Sequence, residues 1–130
     1  MLEQDTEGHI VNTASVAGLT SGPGLGTYKV TKHGVVTLSE TLYCELALRG
    51  AKVKVSVLCP GFVNTRIMDS VRNRPPRFQN DPAETKLGPE SEALIQLMRQ
   101  ALEAGMPPPQ VADIVFKAIY DEIFNILTHP

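Results

Sequence analysis

Two short apolar runs flank one long amphipathic segment near the start of the chain. The run from His9 to Ala14 is apolar enough for a strand buried on both faces of a parallel sheet. Residues 52–58 alternate Val53, Val55 and Val57 with Lys54 and Ser56 before Leu58 and Pro60, which predicts a second strand. Between them Thr27 offers an N-cap hydroxyl and Gly50 a stop, so a helix is expected over residues 27–49. Its apolar positions Val35, Leu38, Leu42 and Leu46 follow helical spacing, and Val36, Tyr43 and Ala47 form a second stripe. One stripe suits a sheet; the other needs a second cover, from the same subunit or from another. Residues 18–26 are rich in turn formers, and residues 66–89 are irregular.

The remaining pattern is helical until the end. Leu94, Met98, Ala101 and Leu102 give one apolar side to a helix over residues 91–104, ended by Gly105. After three consecutive prolines, Val111, Ile114, Val115, Ala118 and Ile119 predict a last helix from about Gln110 to Glu122, and residues 124–127 a third strand. A strand, a helix and a parallel strand imply a right-handed crossover, with the ligand beyond the carboxyl ends of the strands. Ser15 and the Pro60–Gly61 turn both fall at such ends.

Composition narrows the partners. The 130 residues are 42% hydrophobic with a formal net charge of −2, which fits one ordinary globular domain and argues against a nucleic-acid surface. The apolar runs are too short for a bilayer span, and no membrane partner is expected. Cys44 and Cys59 have no motif spacing and read as reduced, buried thiols of a cytoplasmic protein. His9, His33 and His129 are too scattered for a metal site.

The candidate chemistry lies in three residues. Tyr28 and Lys32 stand four apart, so on a helix they share a face. An ammonium beside a phenol stabilises the phenolate, and such a phenol can exchange a proton with a carbonyl oxygen or an alcohol. Ser15, thirteen residues before Tyr28, could hold the same oxygen by its hydroxyl. Gly61 permits close backbone approach, and Thr65 offers a hydroxyl to a carboxamide or phosphate. Gly22, Gly24 and Gly26 superficially match a phosphate loop. Pro23 stiffens that segment and no acidic residue ends a second strand about twenty residues on, so ordinary turn glycines are the favoured reading. Arg72, Arg74 and Arg77 suit either an anionic ligand or a solvated loop face.

Three motifs in order carry a resemblance. Gly8-His-Ile-Val-Asn-Thr-Ala-Ser15-Val-Ala-Gly18, Tyr28-Lys-Val-Thr-Lys32 and Pro60-Gly61-Phe-Val-Asn-Thr65 resemble the serine strand, the Tyr-x-x-x-Lys helix and the nicotinamide turn of the short-chain dehydrogenase/reductase family. The resemblance implies an α/β fold, part of a doubly wound parallel-sheet Rossmann-like domain whose N-terminal cofactor-binding half has no counterpart here. It implies catalytic roles for Ser15, Tyr28 and Lys32, and NAD or NADP held by Tyr28, Lys32, Pro60, Gly61, Val63 and Thr65. Residues 1–130 would then be the C-terminal part of one domain, with a substrate-covering lid at about 66–105. The implied partners are a small alcohol or carbonyl substrate and further copies of the chain. The expected function is interconversion of an alcohol with a ketone or aldehyde. The rival expectation is a truncated, inactive fragment or an interaction module pairing through helix 27–49. An epimerase or dehydratase sharing Tyr-x-x-x-Lys is a weaker third.

Overall fold

The computed structural model describes residues 1–80 and 88–129, so the expected lid is covered except for its Pro82 region, which lies outside the described residues. The chain divides into two units: Met1–Gly61 with Pro109–Pro130, and Phe62–Pro108.

The first unit is built on a parallel three-stranded sheet in the order β1 (Gly8–Thr13), β2 (Val53–Cys59), β3 (Asn125–Leu127). β1 runs alongside β2 with Gly8 opposite Val53 and Thr13 opposite Leu58; β3 meets only the end of β2, Val57 to Cys59. The expected crossover helix is α1 (Gly26–Leu48), and the last helix is α3 (Pro108–Tyr120). Alternation along β2 sorts the core into two faces. Val53, Val55, Val57 and Cys59 pack with Val36, Leu42 and Leu46 of α1, whereas Leu58 packs with Ala118 of α3 and Ile126 of β3. The α3 stripe expected from spacing, Val111, Ile114, Val115 and Ala118, is the one that covers this second face.

Helix α1 departs from expectation at its start and along one stripe. Thr27 is not its cap: Leu25, at φ 55°, takes the capping position without a side-chain bond, and Gly26 is already helical. Gly24 at φ 74° precedes it, so a left-handed pair of residues turns the chain into the helix where a hydroxyl cap was expected. Leu38 lies outside the buried stripe, 65% exposed, and the buried position between Val36 and Leu46 is Ser39. Ser39 is tolerated there because its hydroxyl donates to Val35 O at 2.7 Å and accepts from Asn12 Nδ2 at 3.0 Å. The helix ends as Gly50 requires. Gly50 is at φ 59°, its N–H donates to Ala47 O, and Ala51 N–H donates to Leu46 O.

The second unit contains α2 (Pro89–Glu103) and two 3₁₀ segments, Ile67–Asn73 and Pro76–Phe78. Ile95, Met98, Ala101 and Leu102 are half-buried on α2, and Leu94, expected among them, is exposed. A parallel bridge between Val63 and Met106 closes the unit. Gly105 is needed there for approach: a Cβ would sit 2.7 Å from Phe62 O. Among the described residues no helix is long and apolar enough to cross a membrane.

Candidate active site

The carboxyl ends of β1 and β2 are stitched together. Ala14 N–H donates to Leu58 O at 2.8 Å and Val16 N–H to Pro60 O at 3.0 Å, which carries Ser15 beside the Pro60–Gly61 turn. Ser15 is buried. Its Oγ accepts from Ala17 N–H at 3.1 Å and lies 3.5 Å from Pro60 O. That second distance exceeds the ordinary O–H···O range of about 2.5–3.0 Å. The hydroxyl proton is therefore weakly committed and can be given to another oxygen.

Tyr28 and Lys32 occupy successive turns of α1, both half-buried, as their spacing predicts. Lys32 Nζ lies 5.7 Å from the Tyr28 ring centroid and donates to Thr13 O at 3.2 Å, so it ties the helix to the end of β1. An ammonium has three N–H bonds, and this contact uses one. Among the described residues Ser15 and Tyr28 make no direct hydrogen bond; both adjoin the end of β1 through their neighbours.

Gly18 sets the distance between these parts. Sequence reasoning treated it as the start of a loop, yet it closes the 3₁₀ turn Val16–Gly18 directly against α1. A Cβ on Gly18 would lie 2.7 Å from Lys32 C and 2.8 Å from Lys32 O. Gly18 O also faces His33 Nδ1 at 3.0 Å. The only available signal was its three-residue spacing from Ser15.

Gly61 N–H donates to Thr128 Oγ1 at 3.1 Å, joining the turn after β2 to the end of β3. Cys59, just before the turn, is fully buried; burial pushes its thiol pKa up, against a smaller opposing effect of a backbone hydrogen bond at Ser15. It behaves as a protonated packing residue. Val63 and Thr65 belong to the second unit. Val63 is bridged to Met106, and Thr65 lines a 270 Å³ cavity with Asn64, Arg66, Met68, Asp69 and Arg99. In that unit Asp69 takes Arg66 Nε at 3.1 Å and Arg99 at 3.5 Å, and the Arg66 hydrogen bond, followed by the charges and Arg99, holds its carboxyl below the usual range.

A larger groove of 640 Å³ lies at the amino ends of the strands, lined by Glu7, His9, Lys52, Lys54, Tyr120 and Glu122. Size alone does not make it the reaction site. In open parallel sheets ligands sit at the carboxyl ends, where Ser15 and Gly61 are. Among the described residues no cluster of three or more His, Cys, Asp or Glu could hold a metal ion.

A family model for the short chain dehydrogenases matches residues 1–76. The chain belongs to the short-chain dehydrogenase/reductase family. It is 35% identical over 133 aligned residues to the CLA biosynthesis dehydrogenase/reductase of Lactiplantibacillus plantarum, covering 100% of this chain and 46% of that protein. It is 39% identical over 70 residues to the (S)-acetoin-forming diacetyl reductase of Staphylococcus epidermidis, covering 54% of this chain and 26% of that one. Among solved structures, a short-chain dehydrogenase/reductase of Burkholderia phymatum in complex with NAD superposes with a TM-score of 0.89 at 44% identity, over 100% of this chain and 46% of that one. The chain thus spans less than half the length of these relatives. The parallel sheet flanked by helices is the Rossmann-like α/β arrangement of this family.

Proposed function

We propose that this chain supplies the catalytic part of an NAD- or NADP-dependent oxidoreductase that interconverts an alcohol with a ketone or aldehyde. The observation that carries the reading is the placement of Lys32, over the Tyr28 ring and bonded to Thr13, at the end of the strand that also delivers Ser15. The residues fit a nicotinamide nucleotide by their donor set. Lys32 keeps two N–H bonds for ribose hydroxyls, and the Pro60–Gly61 turn permits close approach of the nicotinamide end. Val63 and Thr65, which belong to the second unit, are assigned to the same nucleotide by the family motif alone. The bound nucleotide supplies the hydride chemistry.

The chain's own residues handle the proton and the oxygen. Ser15 donates a hydrogen bond from its hydroxyl to the substrate oxygen, keeping its proton, and so orients the carbonyl. In reduction Tyr28 Oη gives its proton to the forming alkoxide, and in oxidation it takes that proton back. Lys32 offsets the charge left on the phenolate. The relatives named for diacetyl reduction and for CLA biosynthesis support a carbonyl or alcohol substrate. Both cysteines are free thiols, which suits a cytoplasmic setting; Cys59 is buried as expected, whereas Cys44, on α1, is exposed against that expectation.

The test uses the protein that carries this sequence, with whatever precedes it in its reading frame. Incubated with secondary alcohols plus NAD or NADP, or with ketones plus the reduced forms, it should change nicotinamide absorbance with at least one pair. No turnover across such a panel, with the nucleotide bound, would refute the reaction class.

A second reading is favoured by the outer side of α1. Val30, Leu38 and Leu48 are 72%, 65% and 89% exposed. We propose that this side pairs with α1 of another copy, giving a homo-oligomer. Light scattering should report a multiple of the protomer mass, and Leu38→Glu should lower it; a monomer in the unmodified protein excludes the pairing.

A further inference from the structure

The end of β3 does more than complete the sheet. Thr128 is 6% exposed, and its Oγ1 accepts the Gly61 N–H at 3.1 Å. The same oxygen lies 2.7 Å from His129 Nδ1. The His129 ring also occupies the place that a side chain on Gly61 would take. A Cβ built there would be 2.6 Å from Nδ1 and 3.0 Å from Cε1 and Cγ. All three residues belong to the first unit, so this contact is internal to one body.

One of the two hydrogen-bond directions follows from the donors available. The Gly61 amide can only donate, so Thr128 Oγ1 accepts from it; the hydroxyl keeps its own proton and a second lone pair, so it can pair with His129 Nδ1 in either tautomer. The short chain from Gly61 through Thr128 to His129 then fixes both the height of the turn and the tilt of the ring. The bond is half-buried, so the amide is costly to leave unpaired.

We propose that Thr128 and His129 are positioning residues that hold the Pro60–Gly61 turn at the height where it meets the nicotinamide end of the cofactor. The inference rests on the reading of Pro60 and Gly61 as cofactor-contacting residues. Neither Thr128 nor His129 touches the reacting atoms in this account; they act through Gly61. His129 adds a second consequence, because the space beside Gly61 is already filled by its ring. Gly61 and His129 are therefore sterically coupled, and a side chain is admitted at one only when the other is cut back.

The experiment measures KM for the nicotinamide nucleotide, kcat and thermal midpoint in the protein that carries this sequence. The variants are Thr128→Val, Thr128→Ser, Gly61→Ala, His129→Ala and the double variant Gly61→Ala/His129→Ala. Thr128→Val should raise the nucleotide KM by about five- to thirtyfold, the loss of one half-buried hydrogen bond, with a much smaller change in kcat. Thr128→Ser keeps the hydroxyl and should restore KM. Gly61→Ala should lower the thermal midpoint, and adding His129→Ala should recover part of that loss. An unchanged KM in Thr128→Val, or a Thr128→Ser protein as impaired as the valine variant, overturns the positioning role. A double variant no more stable than Gly61→Ala overturns the steric coupling. If the unmodified protein binds no nicotinamide nucleotide, the parent reading falls and takes this inference with it, an outcome separable from the two above.

Discussion

Gly18→Ala should damage both stability and turnover, although it adds one methyl group on a short turn. The added Cβ would stand 2.7 and 2.8 Å from Lys32 C and O, and 3.0 Å from His33 N. All three are backbone atoms of a helix, so no side chain can swing aside. Ordinary carbon contact distances begin about 0.7 Å further out, and the turn and α1 must separate by several tenths of an ångström. Overpacking of this kind costs about 1–3 kcal/mol. The same displacement moves Lys32 away from Thr13 O and lengthens the bond from Gly18 O to His33, currently 3.0 Å. Because Ser15 begins the turn and Tyr28 rides on the helix, their spacing changes too. A misplacement approaching 1 Å can cost on the order of 100-fold in rate.

The assay pairs urea unfolding with steady-state turnover and uses Gly34→Ala as the internal control. Gly34 also lies in α1, with open space around it within one copy and no positive φ. Because it stands one turn from Val30 and Leu38, the mass of each variant is checked by light scattering, so that any change in pairing is separated from helix propensity. Alanine there should stabilise by about 0.5–1 kcal/mol, by helix propensity alone. A Gly18→Ala protein as stable and as active as the parent would refute the claim that this glycine sets the spacing between the serine turn and the Tyr–Lys helix.

Ser39→Ala should cost about 1–3 kcal/mol in urea unfolding, because Asn12 Nδ2 would lose its 3.0 Å partner inside the first unit; a neutral effect would mean Asn12 finds another acceptor. His9 is held below its ordinary pKa of 6.5, mainly by burial, with Glu122 opposing and Lys54 assisting. Its contribution is therefore present above pH 6.5 and is lost as pH falls through the folded value. His9→Gln should flatten the stability–pH curve in that window, and unchanged curvature there would refute it. Asp69, depressed below 3.8 by Arg66 and Arg99, should titrate in the folded protein at lower pH than an unpaired aspartate. Carboxyl NMR would show this, with Arg66→Gln moving the midpoint up; no movement would assign the shift elsewhere.

The elements were legible because their signals are periodic. Val53, Val55 and Val57 mark a strand by alternation, and Val111 through Ile119 mark a helix by their three-and-four spacing. The Tyr28–Lys32 pairing follows from the same geometry. What escaped the pattern is local chemistry that hydropathy does not encode. Ser39 is buried because two hydrogen bonds satisfy it, and Leu38 is exposed although its spacing matches the stripe. On α2 the half-buried position is Ile95, one residue from the Leu94 that the pattern chose. Thr27 is a good cap by residue type, but the backbone enters the helix through left-handed Gly24 and Leu25. Gly18, Gly61 and Gly105 matter because another group crowds the missing Cβ, which only three-dimensional proximity reveals.

The most direct test of the central claim is turnover of a Tyr28→Phe protein, with nicotinamide nucleotide binding measured on the same sample. Phenylalanine keeps the ring beneath Lys32 Nζ, 5.7 Å from its centroid, and removes only the hydroxyl. The account predicts a fall in kcat of at least about 100-fold, the usual range for losing a general acid, with nucleotide affinity within a few-fold of the parent. Turnover retained at the parental rate, with binding intact, would contradict the assignment of Tyr28 as the proton donor.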